Sequence, residues 1–152
     1  MKVVTPQEAS DLFHAGGEVA FLDVREAGQF GEAHPLFAIP LPFSVLESRV
    51  QKLVPRRDVP VLLLDAGDDI STRAAQCLAG LGYTHLHIIA GGMPGWAAAG
   101  LGVYKGVNVP SKTLGELAEE LWHPNMITPQ ELAQWANAKQ DFSFFDARPP
   151  AE

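Results

Sequence analysis

Cysteine is nearly missing from this chain: Cys77 is the only one among 152 residues. One thiol forms no internal disulfide and builds no multi-cysteine metal site. Basic side chains are scarce as well, 11 Lys and Arg against 18 Asp and Glu, which leaves a net charge of −7. Each phosphate contact needs a cation, so without a basic stripe nucleic acid and anionic membrane surfaces are excluded as partners. No uninterrupted apolar run nears the roughly 20 residues of a membrane span. The amino terminus, Met1 to Pro6, has neither the apolar stretch nor the small-residue cleavage site of a secretory signal, and a cytoplasmic setting is expected. What remains is globular in composition: 47% of residues are hydrophobic and 19% charged. The length suits one ordinary domain with a remainder.

Residues 59 to 83 read as a buried strand, a tight loop and a helix, in that order. The run Val61 to Leu64 has no polar alternation, the pattern of a parallel strand covered on both faces, and Gly67 permits a sharp turn at its carboxyl end. Ser71 is placed to cap a helix that runs to Leu81. Further strands are expected at Ala20 to Val24, Ala38 to Pro40 and Leu86 to Ala90, alternating with helices near Ala27 to Gly31, Ser44 to Val54 and Pro94 to Ala99. Such alternation specifies an α/β fold with a mostly parallel central sheet and helices on both faces. Ligands of open α/β sheets bind at the carboxyl ends of the strands, so the loop Asp65-Ala66-Gly67-Asp68-Asp69-Ile70 decides the chemistry. It offers acid, with no thiol and no base.

The opening of the chain recurs 123 positions later. Val4-Thr5-Pro6-Gln7-Glu8 falls on Ile127-Thr128-Pro129-Gln130-Glu131, and Phe21-Leu22-Asp23-Val24-Arg25 falls on Phe144-Phe145-Asp146-Ala147-Arg148, with no gap between the matches. The period is domain-sized and too long for a solenoid unit, which makes it a tandem duplication. Each Thr-Pro-Gln-Glu reads as a helix start: the Thr caps, Pro takes the first helical position and Glu closes a capping box. The expected organisation is a domain over residues 1–105, a connector over 106–125, and the truncated start of a second domain over 126–152. Within the connector a loop is expected at Gly106 to Ser111 and a helix from Thr113 to Leu121. Trp135, Phe142, Phe144 and Phe145 give the last segment a sticky surface, expected to pack on the first copy or to form a homodimer.

Five segments carry a family resemblance. They are Phe21-Leu22-Asp23-Val24-Arg25-Glu26 with Phe30, Glu32 and His34; Ile39-Pro40; the strand and loop at 61–70; Gly82-Tyr83; and Gly91-Gly92-Met93-Pro94-Gly95-Trp96. In this order they resemble the rhodanese-like domain, over residues 4–101 and again from 127. The resemblance implies the rhodanese-like sheet and a place among the tandem-domain thiosulfate sulfurtransferases. Active copies of that family carry a cysteine at the strand end, and a six-residue loop wraps its thiolate in backbone N–H groups, often with an arginine at the far end. The cysteine accepts a sulfane sulfur and passes it on as a persulfide.

Aligned on Gly82-Tyr83, Asp65 takes the cysteine position and Ile70 the arginine position. A carboxylate forms no persulfide, and Asp65, Asp68 and Asp69 would each repel an anionic donor by about 3 kcal/mol at ~5 Å and an effective dielectric near 20. The resemblance thus implies an inactive first copy, with no metal and no cofactor. Its partners are other rhodanese-like copies of the same polypeptide, one of which carries the sulfur transfer. Asp65 is expected to accept backbone N–H bonds from residues 67 to 71 in place of the thiolate. Two alternatives stand beside this reading. One is a protein-interaction or regulatory module with no sulfur chemistry in any copy. The other is an acidic-loop, metal-dependent hydrolase, against which count the lack of an Asp-x-Asp pairing and of a nearby lysine.

The remaining polar residues have plainer readings. Asp23 and Arg25 share a strand face and are expected to support the loop, with Arg25 bonded to loop carbonyls or an acidic neighbour. Ser71, Gly91 and Gly92 are placed with them, the glycines permitting close approach to the loop while Trp96 packs behind. Arg73 is expected in solvent, His34 in a structural role, and Cys77 in an inert, buried packing role. His85 and His87 lie on one side of a strand and, lacking a third ligand, are read as strand-edge polar residues.

Overall fold

The computed structural model describes residues 1–145, so Asp146 to Arg148 of the repeat lie outside the described residues. The chain divides into two units, Met1–Leu114 and Gly115–Glu152. The first holds β1 (Lys2–Val4), β2 (Ala20–Asp23), β3 (Ile39–Pro40), β4 (Pro60–Leu64) and β5 (His85–Ile89). All pair in parallel, in the order β1-β5-β4-β2-β3. The α/β fold anticipated from the alternation is therefore present. Helices α1 (Pro6–His14), α2 (Ala27–Glu32), α3 (Leu46–Leu53), α4 (Ile70–Gly80) and α5 (Gly92–Ala98) cover both faces.

Central strand β4 explains the uninterrupted apolar run. Val61 and Leu63 point to one face, where they join Leu22, Val50 and Leu78 beneath α3 and α4. Leu62 and Leu64 point to the other and join Ala9, Phe21, Met93 and Trp96 beneath α1 and α5. All four strand side chains are fully buried, each stabilising the fold by about 1.5–3 kcal/mol. A polar residue at any of them would lose its water without gaining a partner.

Four expectations need correction. Strand β1 was not foreseen: its three residues are too short to show a period, and only Val4 is buried. A sixth helix, α6 (Val109–Trp122), begins inside the segment read as a loop. Pro110 does not prevent this, because the first turn of a helix has no intrahelical use for the missing N–H. Strand β5 lies between β1 and β4, so His85 and His87 are not on an edge strand. Finally, Ser71 does not cap α4: the N-cap is Asp69, in the left-handed conformation at φ 64°.

Within the second unit, α7 (Pro129–Asn137) repeats α1 at the interval seen in the sequence. Thr128 Oγ1 accepts the Glu131 N–H at 3.2 Å, and Glu131 returns an oxygen to the Thr128 N–H at 2.6 Å. Thr5 and Glu8 close the same box on α1, at 3.2 and 2.7 Å. No helix among the described residues is long and apolar enough to cross a membrane.

Candidate functional site

The Asp65 loop follows β4 and is approached by Gly91 and Gly92 from the end of β5, whereas the side chains of Asp23 and Arg25, at the end of β2, bond to each other and to the Ala33 carbonyl. Asp65 follows β4 directly and is buried, with 4% of its surface exposed. Its carboxylate accepts the Gly67 N–H at 2.8 Å through Oδ1 and the Ser71 N–H at 3.0 Å through Oδ2. The cradle is narrower than expected. Of the residues from 67 to 71 only the first and last donate to Asp65; the Ile70 N–H turns to Asp68 Oδ1 at 3.5 Å. The left-handed Asp69 swings the middle of the loop outward, and Asp68 and Asp69 are exposed. Asp tolerates that conformation better than most side chains.

Ser71 contributes its backbone, not its hydroxyl. Its Oγ is buried and has no hydrogen-bond partner, while its N–H holds Asp65. Gly91 and Gly92 close the loop from the other side. The Met93 N–H donates to the Asp65 carbonyl at 2.8 Å, and a Cβ built on Gly92 would collide with Asp65 Oδ1, with the Asp65 carbonyl and with the Gly67 nitrogen. Only glycine permits that approach. Trp96 packs behind, its ring 5.3 Å from Phe21 and its Nε1–H donated to the Gly102 carbonyl at 3.1 Å.

Asp23 and Arg25 form a buried ion pair. Arg25 Nε donates to Asp23 Oδ1 at 2.9 Å, and Nη2 donates to Asp23 Oδ2 and, at 2.6 Å, to the Ala33 carbonyl. Losing one member would strand a charge that is otherwise compensated. Just beyond, His34 is buried in the first unit with Nδ1 2.8 Å from the Pro35 carbonyl and Nε2 2.7 Å from the Gly106 carbonyl. Its ring stacks on Phe30 at 4.0 Å. The imidazole is thus committed to joining loops. Nothing local to His34 announces the Gly106 contact, which spans 72 residues.

Cys77 lies elsewhere, on α4. It is half-buried, less than expected, and donates to Glu47 Oε1 at 3.2 Å. Burial and the adjacent Glu47 carboxylate push its thiol up to about 11, the reverse of what a nucleophilic thiolate needs. Arg73 is exposed, its guanidinium 4.8 Å from the Phe43 ring centre. His87 is half-buried with Nδ1 unpartnered, and burial holds it below its ordinary value; exposed His85 bonds the Asp58 carbonyl at 3.0 Å.

Comparison with known proteins bears on the fold that carries this loop. The family model of the rhodanese-like domain matches residues 5–99. The crystal structure of thiosulfate sulfurtransferase from Pseudomonas aeruginosa superposes with a TM-score of 0.79 at 41% identity, covering 91% of this chain and 26% of that one. The chain therefore spans about a quarter of that protein. A structure of rhodanese with anions from E. coli matches at 28% identity and a TM-score of 0.52, over 59% of this chain and 100% of its own. The E. coli K12 protein YibN is 27% identical over 107 residues, 70% of this chain and 74% of YibN.

Proposed function

This chain belongs to the rhodanese-like domain family, matched over residues 5–99, and from that membership we propose that it is a non-catalytic copy from a tandem-domain sulfurtransferase. Asp65 stands in it where active copies hold a nucleophilic cysteine. One observation carries the reading: the anion at the centre of the loop is a carboxylate, tied to the Gly67 and Ser71 N–H groups. Sulfane transfer from thiosulfate requires a sulfur nucleophile that forms an S–S bond as the S–S bond of the donor breaks and sulfite leaves. A carboxylate oxygen provides no such acceptor, and Cys77, held protonated by burial and Glu47, lies on α4 outside the loop. The similarity to the Pseudomonas sulfurtransferase and the internal repeat support a longer polypeptide in which another copy performs the transfer while this one serves as a structural partner.

The test is thiocyanate formation from thiosulfate and cyanide, run on the 152-residue chain and on Cys77→Ser. No turnover above the buffer rate is expected from either. Turnover that survives Cys77→Ser would overturn the proposal.

A further inference from the structure

The first unit contains a second concavity unrelated to the Asp65 loop. Its volume is about 240 Å³, and its walls come from α1, from β2, and from the segments around residues 35–37 and 101–104. Six rings line it: Phe13, His14, Phe21, Phe37, Trp96 and Tyr104. Phe21 and Trp96 are buried and form the floor, whereas Phe37 and Tyr104 are 52% and 39% exposed and form the rim. Two of the walls are already ordered by stacking, Phe37 lying 5.7 Å from Phe13 at an interplanar angle of 21°. No Lys, Arg, Asp or Glu lines the cavity. It lacks the charges that would hold an anion, and one imidazole is too few for a metal.

Its polar equipment is specific. His14 Nδ1 lies 2.8 Å from the Ser10 carbonyl oxygen; a carbonyl only accepts, so in the neutral imidazole Nδ1 carries the hydrogen and Nε2 keeps the lone pair. Tyr104 makes no side-chain hydrogen bond among the described residues and adds a free hydroxyl at the rim. Flat apolar walls with the His14 acceptor and the Tyr104 hydroxyl at the rim favour a flat, largely apolar guest that carries a donor. Size narrows the class further. A cavity of about 150 Å³ admits benzene, so this one has room for one or two fused rings.

We propose that this cavity binds an uncharged one- or two-ring aromatic molecule carrying an N–H or O–H donor, held against its aromatic walls, Phe37 among them, and hydrogen-bonded to His14. The donor separates this guest from a purely apolar one. Indole is the probe, titrated into the isotope-labelled chain by NMR, with 1-methylindole, which has the same rings and no donor, beside it. Saturable shifts confined to the cavity walls are expected for indole, with about fivefold weaker binding of 1-methylindole, the usual worth of one net hydrogen bond. In His14→Phe the two probes should bind alike, and Phe37→Ala should weaken both about tenfold through loss of a stacking wall. Both side chains are exposed, so the variants keep the fold, which the sheet amide resonances check.

N-acetyltryptophanamide distinguishes the source of the ring. Binding at least as tight as indole assigns the cavity to a tryptophan side chain of a peptide, and weaker binding to a free molecule; both keep the donor-bearing ring. Absence of saturation, shifts that spread outside the cavity, or a 1-methylindole affinity equal to that of indole in the unmodified chain would each overturn the proposal. So would wall shifts that follow protein concentration without any probe, since a second copy of the chain would then be the occupant.

Discussion

Asp65 is worth what its two donors would lose without it. Removing the carboxylate orphans the Gly67 and Ser71 N–H groups in a buried setting, so Asp65→Ala should cost about 1–3 kcal/mol, read as a lower midpoint in urea with an unchanged slope. Ser71 makes the contrasting case. Its hydroxyl is buried without a partner, and its N–H is retained in any substitution except proline. Ser71→Ala should therefore leave stability unchanged or raise it by up to about 1 kcal/mol; a loss comparable to that of Asp65→Ala would show that the hydroxyl is bonded after all. Cys77 yields a chemical readout. With its thiol pushed up to about 11, the rate of alkylation by iodoacetamide should stay low at pH 8 and climb toward pH 11. Burial is the larger cause, but Glu47→Gln removes the charge that adds to it, and should shift the climb to lower pH. A profile centred near the ordinary thiol value would contradict the Glu47 contact.

At the scale of elements, the junction of β4 with α4 depends on the start of α5. Gly92 has a φ of 55° and no room for a Cβ against Asp65. Gly92→Ala should destabilise by about 2–3 kcal/mol through strain and collision together. The same change at Gly80, where a Cβ meets nothing within 4 Å, should do no harm, because alanine is the better helix former. Thermal melts of the two variants make the comparison. Strand β5 adds a pH effect. Burial lowers the pKa of His87 from its ordinary 6.5, and Lys2, its partner across from β1, pushes the same way. Below that ordinary value the unfolded chain takes up the proton first, so this contribution to stability is present above pH 6.5 and is lost as the pH falls. His87→Phe should flatten the decline, as measured by urea midpoints across acidic pH.

These elements were unequally legible. Strand β4 could be read from four consecutive apolar residues because both its faces are covered, and α1 because its capping box is written locally in Thr5 and Glu8. Strand β1 was hidden by its brevity. The cap of α4 was misread because serine is a usual N-cap, whereas the left-handed turn at Asp69 follows from tertiary closure of the loop. Likewise, the composition of the loop told that the site is acidic, but not which amides face the carboxylate.

At the scale of the whole molecule, the repeat lets one unit serve as the reference for the other. Val4, Phe21 and Leu22 are 5%, 3% and 0% exposed, while the residues that follow them at the repeat interval, Ile127, Phe144 and Phe145, are 44%, 75% and 84% exposed. In the first unit the sheet neighbours β4 and β5 flank those positions, with α1 and α5 covering Val4 and Phe21 and α3 and α4 covering Leu22. Within the second unit, the rings of Trp135 and Phe142 lie 6.2 Å apart, tilted by 58°, and line a concavity of about 520 Å³ together with Ile127, Leu132 and Phe144. Apolar surface gathered in this way favours association, since its removal from water is worth about 25 cal/mol per Å². The chain should therefore self-associate as its concentration rises from micromolar to millimolar, with a sedimentation coefficient that increases accordingly. Phe144→Ser combined with Phe145→Ser should hold it monomeric while the first unit, which contains neither residue, keeps its melting temperature. If the unmodified chain sediments as a monomer throughout that range, the aromatic face of the second unit is not an interface between copies. If instead association persists in the double variant, the contact lies elsewhere, and the exposed stripe of Leu114, Leu117 and Leu121 on α6 is the next surface to substitute.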